Sequence, residues 1–336
     1  MKTVVWIGTI LMLSVGGGWV GVIAQPTKPA AQPTEPAAQS TSAPTAAKTP
    51  PAATVRPVLE LITPGTEPRQ ILRLKPTVNV KQTATLTMGM DIGLSVAGKS
   101  IPVEKLPATK VAFELSPDRI AANGNIDYHF QYTSVDWVGT SPLPTELLSK
   151  LRAQTEALKG IVGKVTVDNR GQIKAGRFEV PPTISSSARQ MLKQISHSAD
   201  QLSAPLPEPA VGLGAKWRIT SQPKFNGISL KQVATYELVK LQPDQATLRI
   251  GIEQQAPPQT IQIPAEGTDS PANDTLALKS FTGQGQGTIT FRFDRLLPTA
   301  STLQIRSNAT MQSPNPPKAP IDLDTTNQMT MTLQSP

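Results

Sequence analysis

Long runs of this sequence alternate apolar and polar residues with a period of two. Between Ala84 and Leu94 every second residue is apolar, and the same period recurs in many later segments. Successive side chains of a strand point to opposite faces, so the pattern predicts strands with one buried and one solvated face. Sheets of that kind are antiparallel, because a parallel sheet has both faces covered. The sequence therefore predicts a large antiparallel sheet.

Local breaks in the pattern predict how two strands are shaped or joined. The apolar phase slips between Tyr132 and Val135, which predicts a β-bulge near Thr133 and Ser134. The turn-forming run DNRGQ separates two short alternating stretches, which predicts a β-hairpin there.

Two segments depart from the period of two and have the spacing of amphipathic helices. One lies at about 143–159, where leucines share a helical face, and the other at about 185–202, where an apolar stripe follows a serine run typical of an N-cap. Because each stripe needs an apolar partner, both helices are expected to pack on the inner face of the sheet. The expected fold class is mainly β (α+β), with a large curved antiparallel sheet and two helices.

Three segments occur in order along the chain: LRLKPTVNVKQTATLTMGMDI, the hairpin VTVDNRGQIKAGRF, and GQGQGTITFRFDRLLPTASTLQIRSNATMQ. Together they resemble an uncharacterised family of exported bacterial domains. Members of that family begin with an Arg-Leu-Lys-like strand and end with a Gly-x-Gly strand and a long return strand. The resemblance spans most of residues 70–334 and implies no catalytic or binding residues. The layout is also similar, at the level of fold alone, to periplasmic lipoprotein-carrier domains, in which a curved sheet covers helices around an apolar cavity.

Residues 1–24 have the layout of a secretory signal peptide. Lys2 precedes an apolar run from Val4 to Val15, and small residues lead up to an expected cleavage site after Ala24. The alternative is an uncleaved anchor, since residues 4–23 are long enough to span a bilayer; membrane association is expected only in that case. The chain has no cysteine, which excludes a lipid-anchored lipoprotein and any disulfide. Export to the periplasm or surface of a bacterium is the expected localisation.

Residues 25–57 form a Pro/Ala/Thr-rich segment whose composition predicts a disordered linker. The linker could act as a tether or be an inert leader, and composition does not decide between them. Residues 58–336 are long enough for a single β-rich domain with its own core.

The glycine-rich stretch from Gly283 to Asp294 invites comparison with a phosphate-binding loop. Such a loop delivers its anion to a helix N-terminus, whereas here an alternating apolar run follows the glycines. The glycines are therefore interpreted as part of a bulged or closely approached strand, and a nucleotide site is not expected.

The sequence shows no arrangement of residues typical of an enzyme. His129 falls on the polar face of its strand, and neither it nor His197 has metal-ligand or catalytic-triad spacing. We therefore expect a non-enzymatic protein with no catalytic residue, no metal and no cofactor. The formal net charge of +8 is interspersed along the chain and aromatic residues make up 4% of it, which argues against a nucleic-acid partner.

Methionine is the most informative residue type in the predicted domain. The five strand methionines share the phase of the inner face, and Met191 lies on the apolar stripe of the second predicted helix. Flexible thioethers suit a shape-tolerant apolar surface, so the candidate ligand-binding residues lie around them. They are Met88, Met90, Met191, Leu192, Ile195, Met311, Met329 and Met331. The alternative is that these methionines only fill the core.

Two functions follow from these alternatives. The first is binding of a lipid or another apolar molecule between sheet and helices. The second is an envelope structural or protein-interaction domain with a filled core and no small-molecule ligand. For the second, the Pro-, Gly- and Asp-rich segment from Ala256 to Lys279 would be the expected contact loop.

Overall fold

The computed structural model describes residues 57–103, 107–139, 149, 156, 159–179, 205–225, 228–263, 274–313 and 320–336. Within these ranges the chain forms one 14-stranded sheet and a separate two-stranded ribbon. The predicted signal peptide and all of the predicted linker except Pro57 lie outside the described residues. The large antiparallel sheet predicted from the alternating pattern is confirmed.

The strands follow in chain order: β1 (Val58–Thr63), β2 (Gln82–Val96), β3 (Lys99–Ile101), β4 (Ala108–Ile120), β5 (Ile126–Val138), β6 (Val162–Val167), β7 (Ile173–Glu179), β8 (Lys216–Ser221), β9 (Lys224–Phe225), β10 (Ile228–Ser229), β11 (Lys231–Leu241), β12 (Gln245–Ala256), β13 (Gln259–Ile263), β14 (Asp274–Arg292), β15 (Ala300–Ser313) and β16 (Ile321–Gln334).

The sheet consists of two meanders joined at its centre. Its order is β1-β8-β11-β12-β14-β15-β16-β2-β4-β5-β6-β7, with β13 paired to β14, β3 paired to β2, and β9 and β10 forming the ribbon. The joint is the pairing of β16, near the end of the chain, with β2, near the start of the domain. Long-range pairing therefore holds the two halves together, whereas within each half most neighbouring strands follow one another in sequence.

The prediction of an α+β fold with two helices packed on the sheet is wrong. The described residues form sixteen strands and no helical element. Of the predicted helix at 143–159 the structure describes Ser149, Glu156 and Lys159, the first two in helical conformation, and the predicted helix at 185–202 lies outside the described residues. An amphipathic stripe shows only that a helix would be amphipathic if it formed, and tertiary context decides whether it forms. Among the described residues, no helix is long and apolar enough to cross a membrane.

The predicted local breaks are both confirmed. Ala112 pairs with Ser134 and Phe113 with Tyr132, so Thr133 is the extra residue of a β-bulge. The DNRGQ run joins β6 to β7, and the Asp168 carboxylate accepts hydrogen bonds from the backbone N–H groups of Arg170 and Gln172, at 3.0 and 2.9 Å. Gly171 has a φ of 82°, which a glycine adopts without strain.

The predicted contact loop at Ala256–Lys279 is in part a strand pair. β13 lies within it and pairs with the first residues of β14, and residues 264–273 lie outside the described residues. The apolar residues of this pair, Ile261, Leu276 and Leu278, are buried, which explains why these stretches form strands despite the prolines and glycine near them.

The two faces of the sheet differ in burial. On β16 one face carries Leu323, Thr325, Asn327, Met329, Met331 and Leu333, and we call the corresponding face of the whole sheet the inner face. The opposite, outer face carries the alternating polar residues. Three of the buried clusters lie on the inner face, and one of them contains Ala84 and Leu115. The other two lie towards different ends of the face. One surrounds Trp217, which stacks on Tyr236 at a ring distance of 5.8 Å, and the other contains Leu278, Met311 and Leu323.

Candidate functional site

Four methionines meet in the centre of the inner face, where β2 pairs with β16. Met88 is the register partner of Met331, and Met90 is the register partner of Met329. All four side chains are half-buried. Leu303 and Ile305 on β15 continue the same two rows, opposite Met331 and Met329. We call the four residues the methionine patch. Its unbranched side chains can adapt their shape to a neighbour, so it is suited to contact with an apolar surface.

On β14, the strand next to Leu303 and Ile305, two inner-face positions are glycines and carry no side chain. Gly285 and Gly287 of β14 pair with these residues. A Cβ atom added at Gly285 would lie 2.9 Å from Cγ1 of Ile305 and 3.3 Å from Cβ of Ile252. The glycines thus let side chains of β12 and β15 approach each other across β14. The strand interpretation of the glycine-rich stretch is confirmed, because Gly283–Gly287 pair without a break in register on both sides.

A row of polar residues crosses the inner face beside the methionine patch. In register order from β11 to β16 it contains Gln232, Gln254, Gly283, Ser307 and Asn327. Nε2 of Gln254 donates a hydrogen bond to Oε1 of Gln232 at 2.8 Å, so these two amides satisfy each other in part. We call Gln232, Gln254, Ser307 and Asn327 the polar row. It adjoins the patch because Asn327 is two residues before Met329 on the same strand.

Asn327 and Thr325 are buried, and their side chains have no hydrogen-bond partner within the described ranges. Asn327 is 4% exposed and Thr325 is 2% exposed. Neither Oδ1 nor Nδ2 of Asn327, nor Oγ1 of Thr325, has a partner among the described residues. An unpaired buried polar group costs roughly 1–3 kcal/mol, so such groups are unusual in native proteins. Two of them lie on one strand next to the methionine patch, whereas Nε1 of Trp217, in the packed cluster elsewhere on this face, is the other unpaired group we note among the described residues.

The surroundings of the patch and the polar row are uncharged. On β2, β15 and β16 every inner-face position is occupied by an apolar or a neutral polar residue. Burial raises the pKa of Tyr128, on the inner face of β5, to about 12. Burial likewise raises the pKa of Tyr236 to about 12. Burial thus favours the neutral form of both phenols. No group of three or more His, Asp or Glu side chains in the described ranges is placed to hold a metal ion.

The outer face carries a shallow groove that runs across the glycine-rich part of β14. The groove has a volume of about 640 Å³, and its lining includes Glu237, Arg249, Gln286, Thr288 and Thr302. Arg249 pairs with Glu237 at 2.9 Å, and the hydroxyls of Thr288 and Thr302 lie 3.0 Å apart. These side chains largely satisfy one another. The groove is therefore an ordinary solvated sheet surface with a slight depression.

A second depression, of about 430 Å³, lies near the turn between β14 and β15. Arg292 and Arg295 both line it. Arg295 donates a hydrogen bond to the Pro336 carbonyl, and Arg292 is held by Asp294, to which it donates two hydrogen bonds at 2.9 and 2.8 Å. The hydrogen bond from Arg292 also lowers the pKa of Asp294 below its ordinary value. Because its charge is already matched, this arginine is not poised for an anionic ligand.

The structure brings together four of the eight candidate ligand-binding residues, those of the methionine patch. Met311 shares their face but is 2% exposed and belongs to the cluster with Leu278 and Leu323, so it fills core. Met191, Leu192 and Ile195 lie outside the described residues. His129 lies on the outer face as predicted, and its Nδ1 is 2.6 Å from the Asp118 carboxylate.

Sequence reasoning missed Asn327 and Thr325. Polar residues in an alternating strand are interpreted as outward-facing. Because Thr325 and Thr326 are both polar, the sequence around them does not show which of the two faces inward. The usable signal was the phase itself: counting back in steps of two from Met331 through Met329 leads to Asn327, Thr325 and Leu323.

No family model matches the chain, and a search of the curated proteins finds no similar sequence. The resemblance to exported bacterial domains therefore stays a prediction from the residues.

Proposed function

We propose that this protein is an exported, non-enzymatic domain that binds a lipid or another apolar molecule on the inner face of its sheet. One observation carries the proposal. Met88, Met90, Met329 and Met331 form two adjoining cross-strand pairs and remain half-buried, while Met311 on the same face is 2% exposed and fully packed. Leu303, Ile305 and Leu333 beside them are half-buried as well, so the centre of the inner face offers a continuous apolar surface that is incompletely covered.

The binding energy would come from the apolar area that a ligand covers. Each square ångström of apolar surface removed from water contributes about 25 cal/mol, so a ligand that covers a few half-buried methionines and leucines gains several kcal/mol. Export is supported by the signal-peptide layout of residues 1–24.

The experiment is mass spectrometry of solvent extracts from the protein purified without detergent from a bacterial periplasm. We compare wild type with Met329→Glu and with Thr330→Glu, which places the same charge one residue away on the outer face. The expected result is a lipid-like species, near one per protein, in wild type and Thr330→Glu but absent from folded Met329→Glu. A clean extract from well-folded wild type would contradict the proposal.

The second candidate is an envelope structural or protein-interaction domain. The observation that favours it is that both surface depressions described above lie away from the methionine patch, one of them on the outer face. In that case the inner face is simply core, and a partner contacts the outer polar surface. Thr330→Glu, on the outer face, would then weaken binding of the partner. Met329→Glu would lower only the free energy of unfolding.

A further inference from the structure

The chemistry of the polar row narrows the class of ligand, on the premise that the proposed function is right. A pure hydrocarbon would give Asn327 and Thr325 no hydrogen-bond partner, and the described part of the chain supplies none either. A carboxamide offers both N–H donors and a carbonyl acceptor, and a hydroxyl offers one donor and an acceptor. A ligand group that pairs with both the donors and the acceptors of Asn327 and Thr325 must therefore itself accept and donate hydrogen bonds.

The charge of the site sets a second limit on the ligand. No cationic side chain occupies an inner-face position on β2, β15 or β16. An ionised carboxylate or phosphate moved to such a surface loses its hydration and gains no counter-ion, which is strongly unfavourable. The complementary group is therefore uncharged.

The position of the polar row sets a third limit on the ligand. On one side of Asn327 lie Met329 and Met331, and on the other side lie Thr325 and then Leu323, so apolar surface flanks the polar atoms along β16. A ligand that follows the strand would place its polar group beside the row and an apolar chain over the methionine patch.

We propose that the polar row, together with Thr325, recognises a neutral hydrogen-bonding group, such as an ester with a free hydroxyl or an amide, on an apolar chain. The ligand class is thus a neutral amphiphile. Asn327 supplies a donor and an acceptor to this group, Thr325 supplies its hydroxyl, and the methionine patch covers the chain.

The test uses three probes that share one hydrocarbon chain length: 1-monooleoylglycerol, oleate and 1-octadecene. Binding to the full chain is measured by equilibrium gel filtration with radiolabelled probe. Asn327→Leu removes the amide, and Asn308→Leu makes the same substitution at an exposed outer-face position on the neighbouring strand. Thr325→Val is a nearly isosteric second variant, which keeps the test sound if Asn327→Leu does not fold.

Wild type is expected to bind monooleoylglycerol at least about tenfold more tightly than octadecene or oleate, since loss of one or two net hydrogen bonds is worth about that factor. Asn327→Leu should lose about tenfold for monooleoylglycerol and nothing for octadecene. Thr325→Val should lose a smaller factor, and Asn308→Leu none.

The outcomes separate the two proposals. Equal affinity for monooleoylglycerol and octadecene, unchanged in Asn327→Leu and Thr325→Val but lost in Met329→Glu, overturns the polar recognition and leaves apolar binding standing. Preference for oleate also overturns the neutral class. If wild type binds none of the three probes, the proposed function fails and the recognition of a neutral group fails with it.

Discussion

Replacing Asn327 by leucine is expected to stabilise the ligand-free protein, although the residue lies in a buried strand. Its side chain is 4% exposed, and both polar atoms lack partners among the described residues. Removing an unsatisfied buried polar group recovers roughly 1–3 kcal/mol. The branched leucine must fit the same space, and overpacking costs about 1–3 kcal/mol where neighbours are rigid. Here the next inner-face neighbour on the strand is the flexible, half-buried Met329.

We therefore expect the free energy of unfolding to rise by about 1–2 kcal/mol. The assay is urea denaturation followed by far-UV circular dichroism on protein freed of lipid by solvent extraction and refolding. The midpoint should move to higher urea with an unchanged slope, since the surface exposed on unfolding hardly changes.

Asn308→Leu is the control for the general preference of strands for leucine over asparagine, because Asn308 is an exposed outer-face residue of β15. Its effect should stay within about 0.5 kcal/mol. A loss of more than about 1 kcal/mol in Asn327→Leu, with Asn308→Leu neutral, would show that Asn327 makes a native hydrogen bond and would refute the reasoning. An equal gain in both variants would assign the effect to strand propensity.

Three further predictions test other parts of the sheet. Gly285→Ala should lower stability by about 1–3 kcal/mol through crowding, whereas Gly251→Ala, where an added Cβ meets nothing within 4 Å, should be neutral or stabilising; thermal midpoints compare the two. Gln82→Leu should cost about 2–4 kcal/mol in urea unfolding, because its 2% exposed side chain accepts two backbone N–H bonds of the β14–β15 turn. Hydrogen bonds from Thr166 and Arg119 lower the pKa of Asp127 below its ordinary value of 3.8. The ionised Asp127 carboxylate stabilises the fold at pH above its ordinary pKa, and this stabilisation is lost as pH falls through the lowered pKa. The thermal midpoint of Asp127→Asn should therefore fall less steeply than that of wild type between about pH 5 and pH 2. An equally steep drop in the variant would contradict this.

The individual strands were predictable because their signal is local. Ala84 to Leu94 alternates strictly, and β2 follows it from Gln82 to Val96. The bulge at Thr133 was predictable for the same reason, since one extra residue must invert the phase of the strand.

The order of the strands was not predictable, since pairing between distant segments leaves no local pattern. Nothing in the sequence shows that β16 pairs with β2, or that β1 pairs with β8 more than a hundred residues later. The prediction of two packed helices was wrong for a different reason. It took a local apolar stripe as sufficient evidence for a helix packed on the sheet, and such a stripe alone does not establish tertiary packing.

The methionine patch was predictable in part. The phase of each strand placed Met88, Met90, Met329 and Met331 on one face, but their pairing depends on the β2–β16 contact, which only the structure shows. The same phase places Asn327 on that face, but its burial depends on the β2–β16 contact, which puts its strand in the centre of the sheet.

The glycine-rich strand and the polar row form one arrangement. A Cβ atom at Gly283 would lie 2.6 Å from Oε1 of Gln254, so the missing side chain is what leaves room for the Gln254 amide on the inner face. From there Gln254 reaches Gln232 on the next strand. On the other side Ser307 is the register partner of Gly283, and Asn327 is the register partner of Ser307. The amide of Asn327 nevertheless has no hydrogen-bond partner among the described residues. Among the described residues the row is thus satisfied in part at its β11–β12 end and unsatisfied at its buried β16 end, next to the methionine patch. Under the function that we propose, the neutral group of the ligand would complete this network at the β16 end of the row, where the half-buried apolar surface begins.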